Sequence, residues 1–105
     1  MEFDHIGIIT DEKKEEEMFV PPTRVWVTDF RKHPFHIEWL RFEPDTPVTG
    51  PVRERPHVAY RVDNIEEAAR GLKVLLEPFD AEIAIVGFYE TPDGGVVEFM
   101  KYKEE

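Results

Sequence analysis

Pro56-His57-Val58-Ala59-Tyr60-Arg61-Val62-Asp63-Asn64-Ile65-Glu66-Glu67-Ala68 reads as a strand running into a capped helix. The strand alternates apolar and polar residues. Asp63 or Asn64 can cap the helix, and Asn64 with Glu67 has the spacing of a capping box, in which a side-chain oxygen meets an orphan N–H of the first turn. Ile65, Ala68, Ala69 and Leu72 fall at helical spacing and form one apolar stripe suited to packing on a sheet. Val74 to Glu77, Glu82 to Tyr89 and Gly95 to Tyr102 are β-rich, and Thr91-Pro92-Asp93-Gly94-Gly95 joins the last two. Proline presets φ there and glycine accepts φ > 0, so the segment predicts a turn. The second half of the chain therefore predicts βαβββ.

The first half repeats this pattern in trimmed form. His5-Ile6-Gly7-Ile8-Ile9-Thr10-Asp11 is echoed by His57 to Asp63, and Ile37-Glu38-Trp39-Leu40-Arg41-Phe42 is matched class for class by Val97-Glu98-Phe99-Met100-Lys101-Tyr102. Phe3 to Ile9 predicts a strand, and Arg24 to Phe30 with Phe35 to Phe42 predicts a hairpin turning at His33-Pro34. Asp11 to Phe19 is charged, has little apolar face and is closed by Pro21-Pro22, which predicts a short helix or an irregular, solvated segment. Pro44 to Pro56 is too proline-rich for a regular element. An internal repeat is usually one supersecondary unit that needs its neighbour to bury a hydrophobic face. The expected organisation is one α+β domain over 1–105, with module one at 1–44, a linker at 45–55 and module two at 56–105.

A chain of 105 residues is one domain's worth, so the two copies must share a core. Hydrophobic residues make up 41% and no apolar run approaches the length of a bilayer span, so a soluble protein is expected. The start of the chain lacks the pattern of a secretory signal, and with no cysteine there are neither disulfides nor thiolate ligands, so a cytoplasmic location is expected. A net charge of −10 argues against nucleic acid and against an anionic membrane surface as partners. That leaves a small molecule. The shortened first copy makes a homodimer the expected assembly.

The repeat also delivers chemistry. Each half opens with a histidine, His5 or His57, and closes with a glutamate, Glu38 or Glu98. Side chains alternate along a strand, so Glu38 shares a face with Leu40 and Phe42, and Glu98 with Met100 and Tyr102. A carboxylate on such an apolar face is costly to desolvate unless paired or metal-bound. Taken singly, each histidine reads as a hydrogen-bonded strand residue and each glutamate as a solvated one. Pseudo-twofold pairing of the copies would bring all four together. Two carboxylates about 4 Å apart repel by about 4 kcal/mol at an effective dielectric of about 20, and a divalent cation removes that repulsion. Two imidazoles and two carboxylates suit Zn²⁺, Ni²⁺, Co²⁺, Mn²⁺ or Fe²⁺. His36, two residues before Glu38, is a further ligand candidate or a partner to one.

His5-Ile-Gly-Ile, Pro56-His57-Val-Ala-Tyr-Arg-Val-Asp-Asn-Ile-Glu-Glu-Ala and Phe88-Tyr-Glu-Thr-Pro-Asp-Gly-Gly-Val-Val-Glu-Phe together resemble the vicinal oxygen chelate superfamily. This group includes glyoxalase I, methylmalonyl-CoA epimerase, extradiol dioxygenases and the fosfomycin and bleomycin resistance proteins. The resemblance implies two βαβββ modules forming a curled, mixed, glyoxalase-like sheet, the first module shortened. It places His5, Glu38, His57 and Glu98 at the four metal-ligand positions. It further implies a metal-dependent lyase or isomerase acting by proton transfer on a small α-oxygenated carbonyl compound through an enediolate-like intermediate, with Glu98 or Glu38 as general base. Phe42, Tyr60, Phe88, Met100 and Trp26 would line the cleft. The short, acidic Asp11 to Pro22 segment departs from the family pattern, so glutathione and coenzyme A are not carried over as substrates. A second reading is a non-catalytic small-molecule-binding, sequestering protein of the bleomycin-resistance type. A third is a structural subunit in which only the architecture of the repeat survives.

Overall fold

In the computed structural model, which describes residues 1–103, the alternating segments pair into one eight-stranded mixed sheet. Its strands are β1 (Glu2–Ile9), β2 (Met18–Val20), β3 (Val25–Val27), β4 (Ile37–Phe42), β5 (His57–Arg61), β6 (Lys73–Asp80), β7 (Ala84–Glu90) and β8 (Val96–Tyr102). Two single-turn helices, α1 (Pro51–Glu54) and α2 (Ile65–Ala68), and a 3₁₀ turn at Phe30–Lys32 complete an α+β chain. No helix among the described residues is long and apolar enough to cross a membrane.

The strand order is β2-β3-β4-β1-β5-β8-β7-β6. β1 runs parallel to β4 with Ile6 opposite Ile37 and Gly7 opposite Glu38; β5 runs parallel to β8 with Val58 opposite Val97 and Ala59 opposite Glu98. These registers are the same once His5 is set on His57 and Glu38 on Glu98. At the centre β1 and β5 are antiparallel, with Ile6 opposite Val58 and, on either side, His5 opposite Ala59 and Gly7 opposite His57. A local twofold relation thus passes through the Ile6–Val58 pair. The outer pairs obey it too, with Val27 opposite Leu40 in one half and Val86 opposite Met100 in the other.

The sheet curls strongly. Its two end strands, β2 and β6, both line one small cavity of about 70 Å³, through Val20 on one side and Leu76 and Phe79 on the other. The concave face carries the main core, including Val25, Val27, Leu40, Phe42, Ala59, Val86, Phe88 and Met100. The opposite face holds a smaller cluster of Val62, Ile65, Tyr89 and Phe99 beneath α2.

Local chemistry explains where the elements depart from expectation. Asn64 caps α2 by accepting from the Glu67 N–H at 2.9 Å, but the helix stops at Ala68 and the chain turns through Gly71 at φ 86°. Ala68, Ala69 and Leu72 still pack on the smaller cluster, so the stripe is real although the helix is short. The first half has no helix between β1 and β2. Its charged run is strapped down, since Glu17 accepts from Arg41 Nε and Nη2 at 2.9 and 2.6 Å with only 5% of its side chain exposed. The run is otherwise irregular and mostly exposed, as expected, and Glu17 is the exception to its solvation. The 45–55 linker contains α1, because Pro51 at the first helical position needs no N–H partner. Val48 and Val52 anchor it in the main core. Pro78 is accommodated in β6 because that strand is an edge.

Candidate metal centre

The central strands of the sheet aim four ionisable side chains into the concave face. His5 on β1 and His57 on β5 are 1% and 2% exposed, Glu98 on β8 is 6% exposed, and Glu38 on β4 is partly buried. Strand pairing brings them together. Glu98 Oε1 lies 3.0 Å from His57 Nε2 and 3.3 Å from His5 Nε2, while Glu38 Oε1 lies 3.5 Å from His5 Nε2. One donor atom each from His5, Glu38 and His57 falls within 4.8 Å of the others. His5, Glu38 and His57 thus lie where they could share one ion, and Glu98 sits between the two imidazoles.

Packing sets the rings. Phe30 stacks on His5 with ring centroids 4.0 Å apart at 18°, and Phe88 meets His57 edge-on at 5.1 Å. His5 Nδ1–H donates to Asp4 Oδ2 at 2.7 Å, leaving Nε2 to face the carboxylates. His36 is not brought into the cluster. It precedes β4 at φ 54°, is exposed, and its Nδ1 donates to the carbonyl oxygen of Asp4 at 2.9 Å. It is a partner to the segment that holds His5.

The electrostatics are those of a concentrated charge pair. Burial opposes a charge on His5, but the adjoining carboxylates of Asp4, Glu38 and Glu98 outweigh it and push its pKa up to about 12. Burial would raise Glu98, yet the imidazoles of His5 and His57 hold it down at about 2. Despite these short distances, His5 Nε2 and both ring nitrogens of His57 are buried without a hydrogen-bond partner. Buried polar atoms in native proteins almost always have one. Lone pairs directed at a shared cation would resolve the two Nε2 positions, and the mixed nitrogen and oxygen donor set fits Zn²⁺ or a first-row neighbour.

A cavity of about 520 Å³ descends onto this cluster, lined at its floor by His5, Glu38 and Glu98. Its walls are largely apolar, with Phe19, Val20, Phe30, Ile83 and Met100 among them, and Arg31 and Lys103 reach it as well. Of the side chains expected to line a cleft, Met100 lines this cavity, while Phe42 and Phe88 line the smaller one beside it. Tyr60 packs against the α2 cluster instead, and the Trp26 indole donates to Glu43 Oε2 at 2.6 Å. Two contributors escaped the sequence reading. Asp4 stands beside His5 in an unremarkable acidic start, and Phe30 lies at the end of a predicted strand, where nothing marks it as a stacking partner.

No known family model matches the chain, and no curated protein matches it.

Proposed function

We propose that the chain is a glyoxalase-like, vicinal-oxygen-chelate-type lyase or isomerase that moves a proton on a small α-oxygenated carbonyl compound. The observation that carries this reading is a substrate-sized cavity lined by His5, Glu38 and Glu98, where the buried His5 Nε2 has no hydrogen-bond partner and faces both carboxylates. The repeated strand register supports the two-module reading of the fold.

In this reading His5, Glu38, His57 and Glu98 hold a divalent metal. When bound, the metal supplies Lewis-acid stabilisation of negative charge developing on a substrate oxygen. The remaining work belongs to the chain. The apolar walls exclude water and orient the carbonyl compound above the cluster. Glu98 Oε1, gripped between two imidazoles, is the fixed carboxylate. Glu38 touches one imidazole at a longer distance and has 14% of its side chain exposed toward the cavity, which suits it to take up and return a proton at Oε1.

Elemental analysis of protein purified without chelator or affinity tag tests the reading, with reconstitution in Ni²⁺, Co²⁺ and Zn²⁺ and a screen for proton exchange on α-hydroxy and α-keto carbonyl compounds. Near-stoichiometric metal that disappears in Glu98→Ala supports the site. No metal under any condition removes the enzyme reading and favours a binding protein using the same apolar cavity.

A further inference from the structure

The two halves match in strand register but not in what surrounds their histidines. His5 Nδ1–H donates to Asp4 Oδ2 at 2.7 Å, and the other oxygen of that carboxylate, Oδ1, accepts from the Tyr102 hydroxyl at 2.9 Å. The backbone of Asp4 is held as well, through its carbonyl and His36 Nδ1 at 2.9 Å. Arg61 lies over the Tyr102 ring, 4.1 Å from its centroid, and closes the network toward solvent. Superposing His5 on His57 and Glu38 on Glu98 sets Asp4 on Pro56, Tyr102 on Phe42, His36 on Val96 and Arg61 on Ile9. Every polar member of the network has an apolar counterpart in the other half. Correspondingly, His57 Nδ1 is buried with no partner.

We propose that Asp4 and Tyr102 are positioning residues for His5 alone. Asp4 fixes a proton on Nδ1, so that Nε2 is the nitrogen presented to Glu38 and Glu98, and Tyr102 locks the Asp4 rotamer by occupying its second oxygen. A carboxylate behind a ligating imidazole fixes ring orientation and raises basicity, and its removal typically weakens metal binding by 10–100-fold. The centre is therefore polarised. His5 is its electronically supported corner, while His57, beside Glu98 at its Nε2, has no group behind its Nδ1. The affinity arm of the test rests on the metal-centre reading given above; the resonance arm does not.

The experiment uses the full chain labelled with ¹⁵N-histidine, without metal, and then titrates the same samples with Co²⁺. The wild type should show a far-downfield, slowly exchanging Nδ1 proton for His5. Asp4→Ala should abolish that resonance while circular dichroism stays native, and should weaken Co²⁺ binding by 10–100-fold. Tyr102→Phe should keep the resonance, speed its exchange with solvent and weaken Co²⁺ binding by less than Asp4→Ala does. Pro56→Ala, the matching change in the other half, should alter neither readout. Unchanged His5 signals and affinity in folded Asp4→Ala would overturn the proposal, as would equal losses in Pro56→Ala. If Asp4→Ala fails to fold, unchanged exchange and affinity in Tyr102→Phe overturns it. A wild type that binds no Co²⁺ defeats the metal-centre reading, and the resonance then decides the positioning role.

Discussion

The imidazole of His57 occupies the space that a β-carbon on Gly7 would fill. Gly7 sits opposite His57 in the central strand pair, with φ outside the left-handed region, so glycine is required there by space rather than by backbone conformation. Gly7→Ala should drive the ring off its position over the cluster. Overpacking of this kind costs about 1–3 kcal/mol. Thermal denaturation together with Co²⁺ titration checks it, and we expect metal affinity to fall by at least tenfold in the folded fraction. A variant that binds as tightly as the wild type would show that His57 is not a ligand.

Glu98 is the carboxylate common to both imidazoles. Glu98→Gln takes from the buried His5 imidazolium the carboxylate that faces its Nε2 at 3.3 Å, and breaking a buried pair from one side costs about 3–5 kcal/mol. Glu38→Gln removes only one longer contact beside a partly exposed side chain and should cost much less. Chemical denaturation of metal-free protein, with the slope held constant, measures both. Similar losses in the two variants would contradict the assignment of Glu98 as the anchor.

The charge pair also sets a pH window for metal-free protein. His5 rises from 6.5 to about 12, so its contribution is fully present below pH 6.5 and is lost as pH climbs toward 12. Glu98 falls from 4.5 to about 2, so its contribution is present above pH 4.5 and is lost as pH drops toward 2. Metal-free stability should therefore plateau between these two ordinary values. In His5→Gln the alkaline decline should flatten, which thermal melts across the pH range will show.

Away from the site, the Glu17 carboxylate is held below its usual range by its double hydrogen bond to Arg41. That contribution is present above pH 4.5 and fades as pH falls. Glu17→Gln should lower Tm by roughly 5 °C at neutral pH, with the difference from wild type shrinking in acid. It should leave Co²⁺ affinity unchanged, because Arg41 lies on the face of β4 opposite Glu38.

Much of this arrangement was legible in the repeat. The period-2 alternation that put Glu38 with Leu40 and Phe42 on one face holds, because a strand buried on that face cannot slip by one residue without exposing the whole set. The Asn64 cap was legible because its hydrogen bond is local. Signals that depend on distant chain were not. β2 is three residues between a charged run and Pro21-Pro22, and it exists only because β3 offers an edge. Glu17 reads as one more acid in a solvated run until Arg41 on a separate strand reaches it. Asp4 gains meaning only when Tyr102, at the far end of the chain, closes over it.

The two end strands share a cavity wall without pairing to one another among the described residues. Spreading β2 from β6 would open the small cavity that Val20, Leu76 and Phe79 line but break no backbone ladder between those two strands. The ligand-bearing strands lie inside the ladder, bonded on both sides. The molecule thus resembles a spring clip with a stiff spine, in which His5, Glu38, His57 and Glu98 keep their spacing whatever the rim does.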